Sequence, residues 1–599
     1  MDAKPSNYSD AVSRIDPMMQ KTQVISTGGV PRPSQMSTRT ETLLIVAFGL
    51  IYVPFLLNKN LYWDDWALLW VFWVQGPGML FEYELQASHS GHSLPLLLYY
   101  WLGGEYAGVL ARAVAVVSHV GAALLLHRIF LKIESTKNIS VWIAALYVLS
   151  PFYYARGVMV TSVIDLFLLC YLLSVWVMSS PRLAPNVLAL VLFGLSLGYE
   201  TFMMLEPLRV LFVNEFRKNL YKTVRQCAPV WAVALVFVIL RFTFLKPYGS
   251  YAGYNALNLD VLSIGKCFIM TILYYPRAIW LITAGSADLV GWYGLAVVAV
   301  LGLILTRVLA YLYPAGLIAG PARVSLTIRR IMIGTAIALL GAIPYILADR
   351  YPAPHNFSCR LAVVSIPGVL LIIVSSVAAS RSRFLRTYAF LLFSMVSILF
   401  SLQLTKWYLY EAAVKQDLIM QLHQMTSACS EEPTKILVKM VPDSTKILIL
   451  GKQISICELA VPLNLLRDPA RPLLFLREKS GDADEDWLGP CTIDQNDRHP
   501  CPVKPITLEY RLKPENASVE KISFLYLLKS VFKTFEEPPG LGALTAPLGP
   551  PFADQSDQPI RTEPSIREGG KIAVGILNIS PEFLKNAAAH RSVLGQVRE

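Results

Sequence analysis

Long apolar stretches separated by short polar segments dominate the chain from Thr42 to about Leu404. A helix of about 20 such residues, rising about 1.5 Å per residue, crosses a hydrocarbon core of about 30 Å. The pattern therefore predicts an all-α polytopic membrane domain over residues 42–405. Its eleven predicted spans are about 42–57, 106–130, 140–154, 162–179, 185–199, 201–214, 228–245, 287–312, 328–348, 361–380 and 387–405.

Two further apolar stretches are not predicted to cross the membrane. Residues 264–283 are predicted to form a half-buried or interfacial helix, because a full crossing there would move the basic cluster of Arg323, Arg329 and Arg330 to the other side. The run from Leu94 to Leu102 is too short to span. It falls in a predicted first outer loop, residues 58–105.

The distribution of charge orients this domain. The formal net charge is +11, and the basic residues cluster in loops between apolar stretches, as the positive-inside pattern of cytoplasmic loops requires. This distribution argues against a nucleic-acid partner. Residues 1–41 are polar and lack the apolar core of a signal peptide, which predicts a disordered cytoplasmic tail. An odd number of spans then places the C-terminus outside the cytoplasm.

The character of the chain changes after Trp407, where charged residues and proline return. Residues 406–599 are predicted to form a small extracytoplasmic α/β domain with disordered segments, including a helix at Glu411–Met425 and strands at Lys435–Val441 and Thr445–Leu450. An even number of cysteines permits two disulfides in an oxidising compartment. These cysteines are Cys429, Cys457, Cys491 and Cys501.

Two adjacent carboxylates, Asp64 and Asp65, directly follow the first predicted span. Paired acids at a wet membrane surface can supply a general base to an acceptor hydroxyl, or hold a divalent cation such as Mg²⁺ or Mn²⁺ against a phosphate. The alternative is that Trp63 and Trp66 form an interfacial aromatic belt and the aspartates are solvated loop residues. The residues by themselves leave both interpretations open.

Other ionisable residues are predicted to lie on the same side of the membrane. Glu200 is the most informative, because the sequence Tyr199-Glu200-Thr201 interrupts two apolar segments, where a charge is costly unless it is paired or lines an aqueous cavity. His119 lies within a span and is expected to be a buried, hydrogen-bonded histidine. The same-side set is Glu82, Glu84, His89, His92, Glu105, Asp165, Glu200, Glu206, Asp260, Asp349, Arg350, His355 and Arg360.

Two arginines, Arg350 and Arg360, bracket a short outer loop. A guanidinium there can bind a lipid phosphate with two parallel hydrogen bonds, or it can extend toward the headgroups at a helix end. The first interpretation is favoured for Arg360, which opens the next span.

The order of these features resembles the GT-C superfamily of glycosyltransferases, which includes protein mannosyltransferases and bacterial lipopolysaccharide sugar transferases. The resemblance runs from about Leu43 to Leu404 and includes Asp64-Asp65, Leu110-Ala111-Arg112 before Ser118-His119, Leu149-Ser150-Pro151, Gly198-Tyr199-Glu200 before Met204-Leu205-Glu206-Pro207, Arg241, Tyr275-Pro276 and the loop ending in Arg360. Relatives often carry lysine where this chain has Tyr199, so the partner of Glu200 is left open.

The resemblance implies an enzyme of a bacterial inner membrane that transfers sugar from a polyprenyl-phosphate donor to a glycan, lipid or protein acceptor. It implies that Asp64 or Asp65 is the catalytic or metal-binding carboxylate and that an arginine binds the donor phosphate. The predicted cavity residues are Glu200, Glu105, His92 and Tyr199, and the predicted phosphate ligands are Arg350 and Arg360.

Two other classes of function compete with this interpretation. A lipid or polysaccharide transporter would use the same charges to line a path, with charged residues spread through both leaflets. A non-catalytic membrane scaffold would present the C-terminal domain and would not need the acids. Charged residues thin out in the inner half of the predicted spans, which favours chemistry at one face of the membrane.

Overall fold

The computed structural model describes most of the predicted membrane domain and three short strands beyond it. The described residues are 38–56, 58, 61–62, 64–178, 183–217, 219–249, 257–312, 324–354, 357–427, 435–440, 474–477 and 508–510. The predicted strand at Thr445–Leu450, the four C-terminal cysteines and nearly all of the predicted N-terminal tail lie outside these residues.

The described chain is built mainly from α-helices. In chain order they are α1 Thr38–Gly49, α2 Val53–Leu56, α3 Asp64–Trp70, α4 Pro77–Gln86, α5 Ser90–Gly103, α6 Ala107–Lys132, α7 Ser140–Leu149, α8 Met159–Val177, α9 Leu183–Ser196, α10 Glu206–Arg217, α11 Leu220–Thr243, α12 Val261–Leu312, α13 Val324–Leu347, α14 Ile366–Ala379 and α15 Arg383–Ser427. Short 3-10 helices include Glu200–Leu205 before α10 and Phe357–Ala362 before α14.

Among the described residues, seven helical segments are long and apolar enough to cross a membrane. They are Arg39–Leu56, Ala107–Lys132, Met159–Val177, Leu220–Thr243, Val261–Tyr311, Val324–Leu347 and Arg383–Leu409. Three shorter apolar helical segments accompany them, at Lys137–Leu149, Asn186–Ser196 and Ile366–Ala379. These lengths and compositions are those of a helical membrane protein.

The predicted interfacial segment 264–283 is the first part of α12, which runs without a break as far as a kink at Gly291. Just before α12, Asn258 N–H donates to the Leu347 carbonyl at 2.7 Å, at the end of α13. Farther along, the Tyr274 hydroxyl donates to the Phe152 carbonyl, just beyond the end of α7. Both contacts are made at the end of the bundle where α7 and α13 finish, and the interfacial placement of residues 264–283 stays a prediction. We call this end the site end.

The last predicted span and the predicted helix after it form one continuous helix, whose membrane-length part is Arg383–Leu409. The predicted boundary at residues 405 and 406 and the predicted helix Glu411–Met425 both fall inside α15, which continues to Ser427. No glycine or proline occurs in that stretch, so nothing local ends the helix. Beyond it, the predicted strand at Lys435–Val441 is confirmed as β1, Lys435–Met440. It lies between β2, Leu474–Arg477, and β3, Leu508–Tyr510, and pairs parallel with both.

Two charge networks lie inside the helical bundle, and both are internally paired. The Asp165 carboxylate lies 3.3 Å from Arg156 Nε, and Arg156 also donates to the Tyr52 hydroxyl at 2.9 Å. The prediction of a buried, hydrogen-bonded His119 is confirmed, since its Nε2 lies 3.2 Å from the Val148 carbonyl. A charged pair that is buried together avoids the cost of an isolated charge.

The second network joins α10 to α8. Arg209 donates two parallel hydrogen bonds of 2.6 Å to Glu206 and one of 3.1 Å to the Ser174 hydroxyl. Glu206 and Asp165, both predicted on the same side as the cavity acids, are therefore occupied by arginine partners within the bundle. Neither borders the cavity described below.

Candidate functional site

A cavity of about 730 Å³ opens at the site end of the bundle. Its walls are mainly apolar, and its ionisable lining residues come from six separate parts of the chain. They are Asp64 of α3, Glu84 of α4, His89 and His92 at the start of α5, Glu200 in the 3-10 helix before α10, Arg241 and Lys246 at the end of α11, and Arg350 and Arg360 between α13 and α14. Tyr199 also lines it.

The structure separates the aspartate doublet. Asp64 is half-buried and borders the cavity, whereas Asp65 is fully buried and does not. The Asp65 carboxylate accepts backbone N–H hydrogen bonds from Met159 at 2.8 Å, Val160 at 2.9 Å and Tyr62 at 3.1 Å. Successive residues on a helix point about 100° apart, so the two carboxylates leave α3 in different directions.

The catalytic or metal-binding role predicted for Asp65 stays a prediction, and the structure shows a buried carboxylate that does not line the cavity. Its oxygens are already used to join the start of α8 to the start of α3, which positions Asp64 beside it. A metal site shared by both aspartates would require Asp65 to become accessible, because it has no exposed surface. The doublet supplies one cavity residue and one structural residue.

Glu84, His89 and His92 form a compact cluster on one wall. One ligand atom from each residue lies within 4.8 Å of the other two, a spacing that a bound metal ion can bring together. Burial, together with the nearby charge of Asp64, raises the pKa of Glu84 to about 8. Burial and the charge of Arg360 lower the pKa of His92 to about 3, and burial also lowers that of His89. Neutral imidazoles are thus the expected forms at neutral pH.

The backbone between α4 and α5 places this cluster. Ser88 adopts a left-handed conformation with φ of 61°, which is uncommon outside glycine and turns the chain sharply. The turn is fastened by backbone hydrogen bonds from His89 N–H to the Glu84 carbonyl at 2.7 Å and from His92 N–H to the His89 carbonyl at 2.8 Å. The turn thereby brings Glu84 close to His92, which follows it by eight positions in the sequence.

Glu200 has an arginine partner. Arg241 Nε donates to Glu200 Oε2 at 2.6 Å, and Arg241 Nη1 also donates to the Leu245 carbonyl at 3.0 Å. The partner of Glu200, left open because residue 199 is a tyrosine, is therefore Arg241 of α11. The Tyr345 hydroxyl donates to the Tyr199 hydroxyl, which joins this part of the wall to α13.

The two loop arginines reach the same cavity. Arg350 follows the left-handed Asp349, with φ of 54°, and its N–H donates to the Tyr345 carbonyl at 2.8 Å. The charge of Arg360 lowers the pKa of His92 and opposes the rise in the pKa of Glu84, so the guanidinium lies close to that cluster. His355 and the side chain of Glu105 lie outside the described part of the structure, and Glu105 is not among the described lining residues.

The sequence assigned a role to six of the cavity residues and missed others. Asp64, His92, Tyr199, Glu200 and the arginine pair were assigned, whereas Glu84 and His89 were placed on the correct side without a role. Their signal was present in the spacing of a glutamate and two histidines, at residues 84, 89 and 92. The signal is weak without the turn at Ser88, which no sequence pattern indicates.

Comparisons with protein-family models, with curated proteins and with solved structures each find no match. The residues of the site define the chemistry that it can perform. Carboxylates and neutral imidazoles on one wall can accept protons or bind a metal ion. Arg350 and Arg360, which line the same cavity, can bind a phosphate.

Proposed function

We propose that the protein is a membrane glycosyltransferase that transfers a sugar from a polyprenyl-phosphate donor to an acceptor at the site end of the bundle. The observation that carries the proposal is the joint presence of Asp64, Arg350 and Arg360 in one cavity at the end of apolar helices. A phosphate lipid with a sugar headgroup needs both a cationic pocket and an adjacent base. The resemblance to GT-C enzymes points the same way.

Access from the membrane supports the same substrate class. The cavity border includes Phe242 and Leu257, which are 52% and 55% exposed although large and apolar. Exposed apolar surface on a membrane helix is suited to contact with acyl chains. A polyprenyl chain can therefore lie along α11 while its headgroup occupies the polar part of the cavity.

The proposed reaction is an in-line displacement at the anomeric carbon. The acceptor oxygen forms a bond to this carbon as the bond from the carbon to the donor phosphate oxygen breaks. Asp64 takes the proton of the acceptor hydroxyl, and the bonding electron pair leaves with the phosphate. Arg350 and Arg360 stabilise the charge that develops on the departing phosphate.

We also propose that eleven segments cross the membrane, with the N-terminus in the cytoplasm and the C-terminal part outside. The support is a count: seven long apolar segments, three shorter apolar helical segments, and the 3-10 helix at Glu200–Leu205 taken with α10 as one further crossing. The salt bridge within α10 offsets its lower apolar content.

A transporter of the same lipid is the second candidate, and charge placement disfavours it. The described acids deep in the bundle, Asp165 and Glu206, are held by Arg156 and Arg209. A conduction path would need ionisable groups that are available to the substrate along its length.

The discriminating experiment compares transfer with translocation. Purified protein in detergent would be given polyprenyl monophosphate carrying a radiolabelled sugar, and release of free polyprenyl phosphate would be followed with and without acceptor extracts. We expect release by the wild type and a loss of about 10²-fold or more with Asp64→Asn. Movement of the intact donor across proteoliposomes, without any release of polyprenyl phosphate, would instead establish the transporter.

A further inference from the structure

The turn between α4 and α5 carries a set of ligands that the proposed transfer reaction does not use. Glu84, His89 and His92 each offer one donor atom, and these atoms lie within 4.8 Å of one another. The rings of His89 and His92 are stacked, with centroids 5.1 Å apart and planes inclined by 19°. Metal–ligand bonds of about 2.1 Å in tetrahedral geometry place ligand atoms about 3.4 Å apart, so a modest closure of the cluster completes the site.

A second observation points to a ligand at this cluster. His92 is only 6% exposed, yet its Nε2 is buried and has no hydrogen-bond partner among the described residues. An unpaired polar nitrogen in a buried position costs roughly 1–3 kcal/mol, and a metal ion bound to this nitrogen would remove that cost. The rings of Phe167 and Tyr199 flank His92 with centroids 5.6 Å and 6.2 Å away and do not supply a polar partner.

We propose that Glu84, His89 and His92 bind a divalent transition-metal ion of the zinc class, with a further coordination position open to the cavity. Two imidazole nitrogens and one carboxylate oxygen form a borderline-soft ligand set that suits Zn²⁺. Mg²⁺ prefers six oxygen ligands in octahedral geometry, and this cluster offers one carboxylate. The site is therefore different in position and in preferred ion from a magnesium site at the aspartate doublet.

The charges around the cluster define what the open position would take. Asp64 adds negative charge beside Glu84, whereas Arg241, Arg350 and Arg360 face His89 with positive charge. A cation held among these groups leaves a strongly positive wall on one side of the cavity. An anionic oxygen, from water or from a phosphate, is the ligand that fits between the metal ion and Arg360.

Metal binding itself does not depend on the proposed transfer reaction. Only the idea that the open position contacts the donor phosphate rests on the proposed function. Direct measurement of metal content therefore tests this inference separately, since the protein can bind zinc whether or not it transfers sugar.

The test uses the full-length protein purified with an affinity tag that lacks histidine. The protein is treated with a chelator, loaded with Zn²⁺, dialysed against metal-free buffer and analysed by elemental mass spectrometry. We expect about one zinc ion per chain in the wild type and at least about a tenfold loss of affinity with His92→Ala, His89→Ala or Glu84→Gln. His127→Ala is the matched control. His127 is a buried histidine near the C-terminal end of α6, where it pairs with Glu41, and it does not line the cavity.

Two further measurements separate a loss of metal binding from a loss of folding in the variants. Co²⁺ bound in place of zinc should give the visible absorption of a four- or five-coordinate ion in the wild type and in His127→Ala, but not in His92→Ala. Zinc should also raise the unfolding temperature of the wild type and leave that of His92→Ala unchanged. A wild-type protein that retains no zinc after loading, or a His92→Ala protein that retains as much as the wild type, would overturn the inference.

Discussion

Gly91 packs directly against the backbone of Gly198, so closely that a Cβ on Gly91 would lie 2.2 Å from the Gly198 Cα. This contact joins the histidine turn at the start of α5 to the segment that carries Tyr199 and Glu200. Two walls of the cavity, more than 100 residues apart in sequence, thus meet at a pair of residues without side chains. Glycine is required here by space rather than by backbone conformation.

The glycine contact gives the first prediction. Gly91→Ala should destabilise the protein by about 1–3 kcal/mol, because the new methyl group meets backbone that has no room to move. Gly265→Ala in α12 is the control, since no atom lies within 4 Å of the position a Cβ would take there. Thermal unfolding in detergent compares the two. Equal unfolding temperatures for the two variants would show that the contact is looser than the structure describes.

The aspartate doublet gives a prediction that separates folding from activity. Asp65→Asn should lower the free energy of unfolding by roughly 1–3 kcal/mol, because an amide NH₂ then faces a backbone N–H in a buried position. Asp64→Asn should leave stability nearly unchanged and remove sugar transfer. Thermal unfolding and the polyprenyl-phosphate release assay measure the two effects. The assignment fails if the activity loss belongs to Asp65 and the stability loss to Asp64.

The pair of Glu200 and Arg241 should matter more to binding than to stability. Their side chains are 36% and 15% exposed, so solvent screens the pair and limits its contribution to stability to about 1 kcal/mol or less. Arg241→Gln should nevertheless weaken binding of polyprenyl phosphate by about tenfold, because the cavity wall loses a positive charge and the Glu200 carboxylate loses its arginine partner. The thermal shift on adding polyprenyl phosphate measures this. Arg307→Gln in α12 is the control, since Arg307 stacks on Phe384 away from the cavity, and an equal effect there would refute a local role.

The buried network of Arg156 and Asp165 should behave as a structural unit. Arg156→Met leaves the Asp165 carboxylate buried without its arginine, which typically costs about 3–5 kcal/mol. The double variant Arg156→Met with Asp165→Leu should recover most of that loss, because no charge remains inside the bundle. Thermal unfolding of both single variants and the double variant forms the cycle. Simple additivity of the two single effects would mean that the residues do not act as a pair.

The proposed topology predicts opposite labelling of two exposed positions. Leu259, 71% exposed beside the site end, and Arg381, exposed between α14 and α15, are each replaced by cysteine in a chain whose native cysteines are serine. A membrane-impermeant maleimide added to intact cells should label the cysteine at 259 and not the one at 381. Labelling of both, or of 381 alone, would contradict the proposed orientation.

Much of the helical framework could be predicted from the sequence because membrane helices are specified locally. A run of apolar residues of the right length must form its backbone hydrogen bonds within itself in lipid, so composition alone locates the helix. The predicted span at 106–130, for instance, is α6, Ala107–Lys132. The sequence did not show that the last span continues into the helix at Glu411–Met425, since a polar sequence after Trp407 indicates the end of the membrane and not the end of a helix.

The sequence also determined that Asp64, His92, Tyr199, Glu200, Arg350 and Arg360 are candidates for one site, since charges near a membrane are costly and must be paired or wet. Only the tertiary structure decided which aspartate faces the cavity, that Arg241 is the partner of Glu200, and that Glu84 and His89 join His92. These outcomes depend on the direction of a side chain on its helix, on the turn at Ser88 and on contacts between distant segments. Long-range packing sets all three, and a local pattern of apolar and polar residues does not encode it.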